Sequence, residues 1–130
     1  MAQQADSQAL HYVMLVMGPA YGTQSASCAY QFAQSLLQTP HQLDTIFFYG
    51  DGVYNANQFT DPANDEFDLV RAWQALATQY NIKLAVCIAA AQRRGVIQAD
   101  HDDNFAMHFQ LTGLGELSEA LSKCDRVIQF

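Results

Sequence analysis

Length, composition and charge already exclude several classes of protein. The chain has 130 residues, of which 50% are hydrophobic and 15% charged, which indicates one globular domain and excludes an intrinsically disordered chain. The formal net charge of −7 argues against direct binding to nucleic acid, because a phosphate backbone requires a basic surface. No apolar run of about 18 residues and no signal peptide are present, so we expect a cytoplasmic protein without membrane contact.

The pattern of apolar residues predicts strands and helices in alternation. After a polar stretch predicted to be a flexible tail, residues 1–9, the domain occupies residues 10–130. Predicted strands lie at residues 11–17, at 45–49, in the apolar run that begins at Ile82, at 105–112 and at 126–130. The order predicts an α/β fold: a single-domain three-layer sandwich of about five mostly parallel strands with helices on both faces, as in flavodoxin and Rossmann folds.

Three helices are predicted between these strands, each with one apolar face. The first lies between Thr23 and Pro40, and its predicted buried face comprises Ala26, Cys28, Ala29, Phe32, Ala33, Leu36 and Leu37. The second opens at Asp65 and Glu66, and its predicted buried face comprises Phe67, Val70, Trp73, Leu76, Ala77 and Tyr80. The third begins at residues 113–115, and its predicted inward stripe comprises Leu114, Leu117, Leu121 and Cys124. Residues 50–64 are predicted to be a long functional loop without secondary structure.

Cys87 is the most informative candidate for chemistry. It lies within an apolar run, Ile82 to Gly95, that is interpreted as a strand and stops at two arginines and a glycine. If Cys87 lies near the carboxyl end of that strand, it is where parallel sheets place their binding sites. Composition alone favours a buried structural cysteine over a nucleophile. Arg93 and Arg94 follow closely, and a helical turn after Cys87 would bring their guanidinium groups and backbone amides towards the sulfur, where they would favour a thiolate. The competing interpretation of the two arginines is a solvated pair at the end of a strand.

The other polar motifs favour structural interpretations. The loop at residues 18–22 holds two glycines and a proline, but it lacks the GxGxxG and P-loop patterns, so a tight turn is favoured over an anion site. His101 lies among three aspartates, yet neighbouring loop residues rarely converge on one ion, and a solvated acidic loop is favoured. The three cysteines have no zinc spacing and are predicted to be reduced thiols. No metal and no organic cofactor are predicted.

Seven stretches carry a resemblance to a known family. They are GPAYGTQSAS, YQFAQSLL, IFFYGDGVYNAN, PANDEFDLVRAWQAL, CIAAAQRRGV, LTGLGELSEA and CDRVIQF. Together they resemble the DsrE-like sulfurtransferases in the same order from His11 to Phe130. In that family the cysteine of the C-(I/V)-A-A-A-x-R-R-G motif carries the transferred sulfur. The resemblance therefore implies that Cys87 forms a persulfide, with Arg93, Arg94 and Gly95 in their motif positions and with Tyr21 and Gly22 bordering the site.

The resemblance is closest to the branch of the family that serves tRNA thiolation. It implies a heterohexamer with two copies each of this chain, a TusB-like subunit and a TusC-like subunit. The chain would accept sulfur from a TusA-type donor and pass it to a TusE-type acceptor for 2-thiouridine at the tRNA wobble position, without holding tRNA itself.

Three other functions remain open at this point. The chain can be a subunit of a sulfur-oxidation pathway of the DsrEFH type, or an assembly subunit that holds a heteromeric complex together without carrying sulfur. A flavodoxin-like domain that binds a small molecule or nucleotide rests only on the sheet topology and on the glycine loop at residues 18–22.

Overall fold

A five-stranded sheet forms the centre of the computed structural model, which describes residues 8–98, 101 and 103–130. The strands are β1 (His11–Val16), β2 (Gln42–Phe48), β3 (Lys83–Cys87), β4 (Phe109–Thr112) and β5 (Arg126–Gln129). The α-helices are α1 (Ser25–Leu36), α2 (Leu69–Tyr80), α3 (Ile88–Arg93) and α4 (Leu114–Lys123). The strand order is β4-β3-β2-β1-β5, and every neighbouring pair of strands is parallel. The predicted α/β fold class is confirmed.

Helices α1 and α2 cover one face of the sheet. The connections from β1 to β2 and from β2 to β3 step in the same direction, so right-handed crossovers put both helices on one side. Trp73 of α2 is fully buried there and lies edge-on to Phe48 of β2, with ring centroids 5.3 Å apart. Tyr30 of α1 packs on the same indole at 5.3 Å, and partial burial raises the pKa of its phenol. The largest part of the apolar core therefore lies between α1, α2 and the sheet.

Helix α4 lies on the opposite face, and polar side chains form part of its contact with the sheet. Glu116 of α4 accepts a salt bridge from Lys83 of β3 at 2.8 Å, and a cavity of about 170 Å³ remains between helix and sheet. The prediction that Leu114 and Leu121 face inward is wrong, since both are exposed, and Leu117 is only partly buried. Of the predicted stripe, Leu117 packs against the core, while Glu116, Glu119 and Ala120 line the cavity between the helix and the sheet.

Two further predictions about helix faces are corrected. Cys28 is exposed, because the buried stripe of α1 passes through Ala29 and Cys28 lies about 100° around the helix from it. Helix α2 begins at Leu69 and not at Asp65, since the Asp68 carboxylate accepts the Arg71 amide and caps the helix there. Phe67 of the predicted buried face therefore precedes the helix and is exposed, and Tyr80, the last residue of the helix, is also exposed.

The loop predicted at residues 50–64 has structure of its own. A 3₁₀ helix, Gly50–Ala56, follows β2 directly and buries four of its seven residues. The predicted fourth strand, 105–112, is shortened to Phe109–Thr112, because His108 has a left-handed φ of +72° that interrupts an extended chain. Within the described residues, no helix has the length and apolar character needed to cross a bilayer. Most of the predicted tail, residues 1–7 of 1–9, lies outside the described residues.

Candidate functional site

The candidate site lies at the carboxyl edge of the sheet, where β1, β2 and β3 end side by side. Cys87 is the last residue of β3 and the first residue outside α3, so the chain passes from strand to helix without a loop. The apolar run from Ile82 was predicted to be one strand, but the strand ends at Cys87 and the rest of the run is helical, which meets the condition that Cys87 lie at a carboxyl end. The alanines that follow favour a helix, and the helix ends after six residues.

Gly95 ends this short helix. Its φ is +73°, in the left-handed region that glycine adopts without strain, and its amide donates to the Gln92 carbonyl at 3.3 Å. The next amide, of Val96, turns back to the Ala91 carbonyl at 3.0 Å. Gly95 therefore has a backbone role in closing the turn beside Cys87.

The Cys87 side chain is buried, with only 3% of its surface exposed. Of the other two cysteines, Cys28 is exposed on α1 and Cys124 is partly buried at the end of α4. All three are free thiols. Cys87 is thus the cysteine at the carboxyl edge of the sheet, and in this conformation it is shielded from solvent.

Two hydrogen bonds fix the side chain of Arg94. Its Nε donates to the Asp51 carboxylate at 2.8 Å, and its Nη1 donates to the Ala90 carbonyl at 3.2 Å. The first bond joins α3 to the 3₁₀ helix, and the second fixes the guanidinium against the helix that follows Cys87. Arg93 is exposed, and within the part of the chain that the structure describes no carboxylate forms an ion pair with it. The two arginines therefore differ: Arg94 is oriented, whereas Arg93 is solvated.

Tyr21 lies in the loop between β1 and α1. Its hydroxyl donates to the Phe67 carbonyl at 2.7 Å and accepts the Leu69 amide at 3.3 Å, so it ties that loop to the start of α2. The neighbouring Gly22 has a left-handed φ of +105°. Both residues are exposed at this edge of the molecule, and the described bonds of Tyr21 are structural ones.

A buried asparagine, which the sequence analysis did not single out, organises the same edge. The Asn55 amide nitrogen donates to the carbonyls of Gly18 at 3.0 Å and Gly52 at 2.8 Å, and its oxygen accepts the Trp73 indole N–H at 3.0 Å. These bonds join the β1–α1 loop, the 3₁₀ helix and α2. Asn55 lies in the motif GVYNAN. An asparagine within an apolar stretch was the feature of the sequence that could have indicated a buried, hydrogen-bonded side chain.

Gly52 allows the 3₁₀ helix to pack this closely. A Cβ atom at this position would lie 2.0 Å from the Val16 carbonyl oxygen, so no other residue fits without moving the backbone. The 3₁₀ helix therefore packs against the end of β1 without space for a side chain at position 52. The first half of the loop predicted to be functional is therefore a 3₁₀ helix packed against the end of β1.

No group of three or more His, Cys, Asp or Glu residues suited to a metal ion is found among residues 8–98, 101 and 103–130. Of the predicted acidic loop, His101 and Asp103 are exposed, while Asp100 and Asp102 lie outside the described residues.

Comparison with known proteins defines the class. Residues 11–130 match the model of the DsrE/DsrF-like family, so the chain belongs to that family. The chain is 57% identical to Sulfurtransferase TusD of Photorhabdus laumondii and 56% identical to Sulfurtransferase TusD of Pectobacterium carotovorum. Each alignment covers 93% of this chain, with 98% of the first relative and 99% of the second. The resemblance stated from the sequence motifs and the predicted enzyme class, sulfurtransferase, are confirmed.

Solved structures support the fold. The ychN protein from E. coli superimposes with a TM-score of 0.70 at 18% identity, and MTH1491 from Methanobacterium thermoautotrophicum with a TM-score of 0.70 at 11% identity. Both alignments cover 93% of this chain and 99% of the other. At these identities the likeness concerns the fold alone.

Proposed function

We propose that this protein is a sulfur-relay protein in which Cys87 carries the transferred sulfur as a persulfide. The observation that carries the proposal is the position of Cys87 at the carboxyl end of β3, directly before α3, in a chain 57% identical to a TusD sulfurtransferase. Binding sites of open parallel sheets lie at this edge. Cys28 on the outside of α1 and Cys124 after α4 have no comparable setting.

The proposed transfer is a thiol–disulfide type of exchange. The Cys87 thiolate attacks the outer sulfur of a donor persulfide, the bond from Sγ to that sulfur forms, and the sulfur–sulfur bond of the donor breaks. The donor leaves as a thiolate, and the outer sulfur retains its proton, so charge and electrons balance between the two partners. An acceptor thiolate then removes the outer sulfur from Cys87 by the same displacement.

Arg94 is proposed to stabilise the anionic sulfur, because its guanidinium is already oriented beside α3. Arg93, which is exposed to solvent, would add to the positive electrostatic potential at the site. Gly95 is proposed to hold the turn, and Tyr21 and Gly22 to shape the rim of the site.

The burial of Cys87 sets a condition on this mechanism. A sulfur that is 3% exposed cannot meet a protein-bound persulfide in this conformation, so transfer requires local opening around α3 when the donor docks. The same burial favours a second candidate function, an assembly subunit that does not carry sulfur.

The partners proposed are those of the TusD-like branch: TusB-like and TusC-like subunits in a heterohexamer, a TusA-type donor and a TusE-type acceptor. The end product would be 2-thiouridine at the tRNA wobble position. The identity to TusD proteins over nearly the full chain supports this branch over a sulfur-oxidation pathway. The three free thiols accord with the proposed cytoplasmic location.

The test is intact-mass spectrometry after incubation with a cysteine desulfurase, cysteine and a TusA-type carrier. Wild type should gain the mass of one sulfur atom, reversibly by reductant. The Cys87→Ser variant should gain none, whereas a Cys28→Ser/Cys124→Ser double variant should behave as wild type. Loading of Cys87→Ser, or no loading of wild type by a carrier that loads other acceptors, overturns the relay mechanism and favours the assembly subunit.

A further inference from the structure

A second polar group at the carboxyl edge of the sheet is the hydroxyl of Thr112, the last residue of β4. Thr112 is 97% buried, since only 3% of its surface is exposed. Its Oγ1 atom has no hydrogen-bond partner among the residues that the structure describes. Leaving a buried hydroxyl unbonded destabilises a fold, and native proteins contain few such groups. An isosteric valine would avoid that cost, so the hydroxyl requires an explanation.

The pairing of β3 with β4 puts this hydroxyl beside the reactive cysteine. Cys87 and Thr112 are register partners in the parallel ladder, which continues the pairing of Ala85 with Gln110. Register partners project to the same face of a sheet, with Cβ atoms about 5 Å apart. Ala85 lines the cavity beneath α4, and by the alternation of side chains along β3 Cys87 belongs to the same face. The unbonded donor and the thiol are thus adjacent side chains.

We propose that the Thr112 hydroxyl is the hydrogen-bond donor for the sulfur atom that Cys87 receives, an inference that rests on the proposed function. The reduced thiol leaves Thr112 Oγ1 without a bond. A persulfide extends the side chain by one sulfur–sulfur bond of about 2 Å, and its outer sulfur carries the negative charge when deprotonated. A neighbouring hydroxyl then gains a charge-assisted bond.

This role is consistent with the balance of the transfer step. When the Sγ–S bond forms and the donor thiolate leaves, the outer sulfur still carries its proton. Loss of that proton to solvent gives the anion that Thr112 stabilises, and the proton returns before an acceptor takes the sulfur. Thr112 donates its proton in a hydrogen bond to that sulfur and does not transfer it, so the threonine is unchanged by the cycle. Its contribution is to the persulfide state and to the transition states on either side of it.

The experiment compares Thr112→Val with Thr112→Ser, both in the Cys28→Ser/Cys124→Ser background. Glutathione persulfide is the sulfur source, and intact mass follows loading and subsequent loss of the sulfur to an acceptor thiol. Two measurements report on structure alone: the melting temperature and the rate at which iodoacetamide alkylates the reduced Cys87 thiol. Thr112→Val should keep the alkylation rate at the background value and should not lower the melting temperature, because it removes only a buried hydroxyl that has no hydrogen bond.

We expect Thr112→Val to load about tenfold more slowly or to lose its persulfide about tenfold faster, the effect of one charge-assisted hydrogen bond. Thr112→Ser should retain most of the background rate. Equal loading and lifetime in Thr112→Val and the background overturns the inference while leaving the relay function intact. A parallel loss of melting temperature and of thiol alkylation also overturns it, since the threonine then acts through packing. If the background protein itself gains no sulfur, the proposed function fails, and this inference fails with it.

Discussion

Arg94 and Asp51 join the two elements that leave the sheet at β3 and β2. The guanidinium Nε lies 2.8 Å from the carboxylate oxygen, so the short helix after Cys87 is fastened to the 3₁₀ helix after β2. The Asp51 side chain is 60% exposed, and ion pairs of this kind contribute about 0–1 kcal/mol to folding. The pair therefore orients a charge beside the candidate site more than it stabilises the fold.

That orientation predicts different effects for the two arginines. Under the proposed function, in which the Arg94 guanidinium stabilises the anionic sulfur, Arg94→Gln should slow sulfur loading about tenfold and should change the melting temperature little. Arg93→Gln is the matched control and should have the smaller effect, since Arg93 is solvated. Time-resolved intact mass with a TusA-type persulfide donor measures both rates. If Arg93→Gln loaded sulfur more slowly than Arg94→Gln, the roles assigned to the two arginines would be reversed.

The exposure of the three thiols predicts their order of alkylation. In the folded chain iodoacetamide should modify Cys28 first, Cys124 next and Cys87 last, because Cys28 is exposed and Cys87 is 3% exposed. Peptide mapping after timed quenching gives the three alkylation rates. Unfolding the chain in concentrated urea should make the three rates similar, because the difference in exposure is then lost. Rapid labelling of Cys87 in the native chain would contradict the shielding described above.

The close approach at Gly52 predicts a large loss of stability on adding one methyl group. Gly52→Ala should lower the free energy of unfolding by about 2 kcal/mol or more, because its Cβ would meet the Val16 carbonyl oxygen. Gly115→Ala is the control: it lies in α4 with no atom near the added Cβ, and it should raise stability by about 0.5–1 kcal/mol. Urea denaturation measures both, and equal stability of the two variants would exclude a tight contact at Gly52.

The hydrogen bonds of Asn55 predict a comparable cost for its replacement. Asn55→Leu should destabilise the fold by about 3 kcal/mol, since it leaves the Trp73 N–H and the Gly18 carbonyl without their partner. Asn64→Leu, at an exposed position, should be close to neutral. Urea denaturation again gives the comparison. A small effect at Asn55 would mean that water replaces these bonds.

The alternation of strands and helices was predictable from the sequence because it depends on local patterns. Runs such as 45–49 are apolar on both sides, as strands in parallel sheets must be, and glycine and proline separate them. The exact end of the strand at Cys87 did not follow from the pattern, because the apolar run continues through residues that form α3. The buried face of each helix was less predictable. Cys28, Leu114 and Leu121 have the spacing of a buried stripe, but the rotation of a helix about its axis depends on what it packs against.

The chain by itself therefore determined the fold class, the strand that carries Cys87 and the family motif around it. Only the tertiary structure decided that Arg94 is oriented and Arg93 is not, that Asn55 joins three segments, and that Thr112 lies beside the cysteine with an unbonded hydroxyl. Thr112 is 25 residues from Cys87 in sequence, and no local pattern encodes which strand pairs with which. Strand register is set by the packing of the whole sheet, because a slip of one residue would turn every side chain to the opposite face.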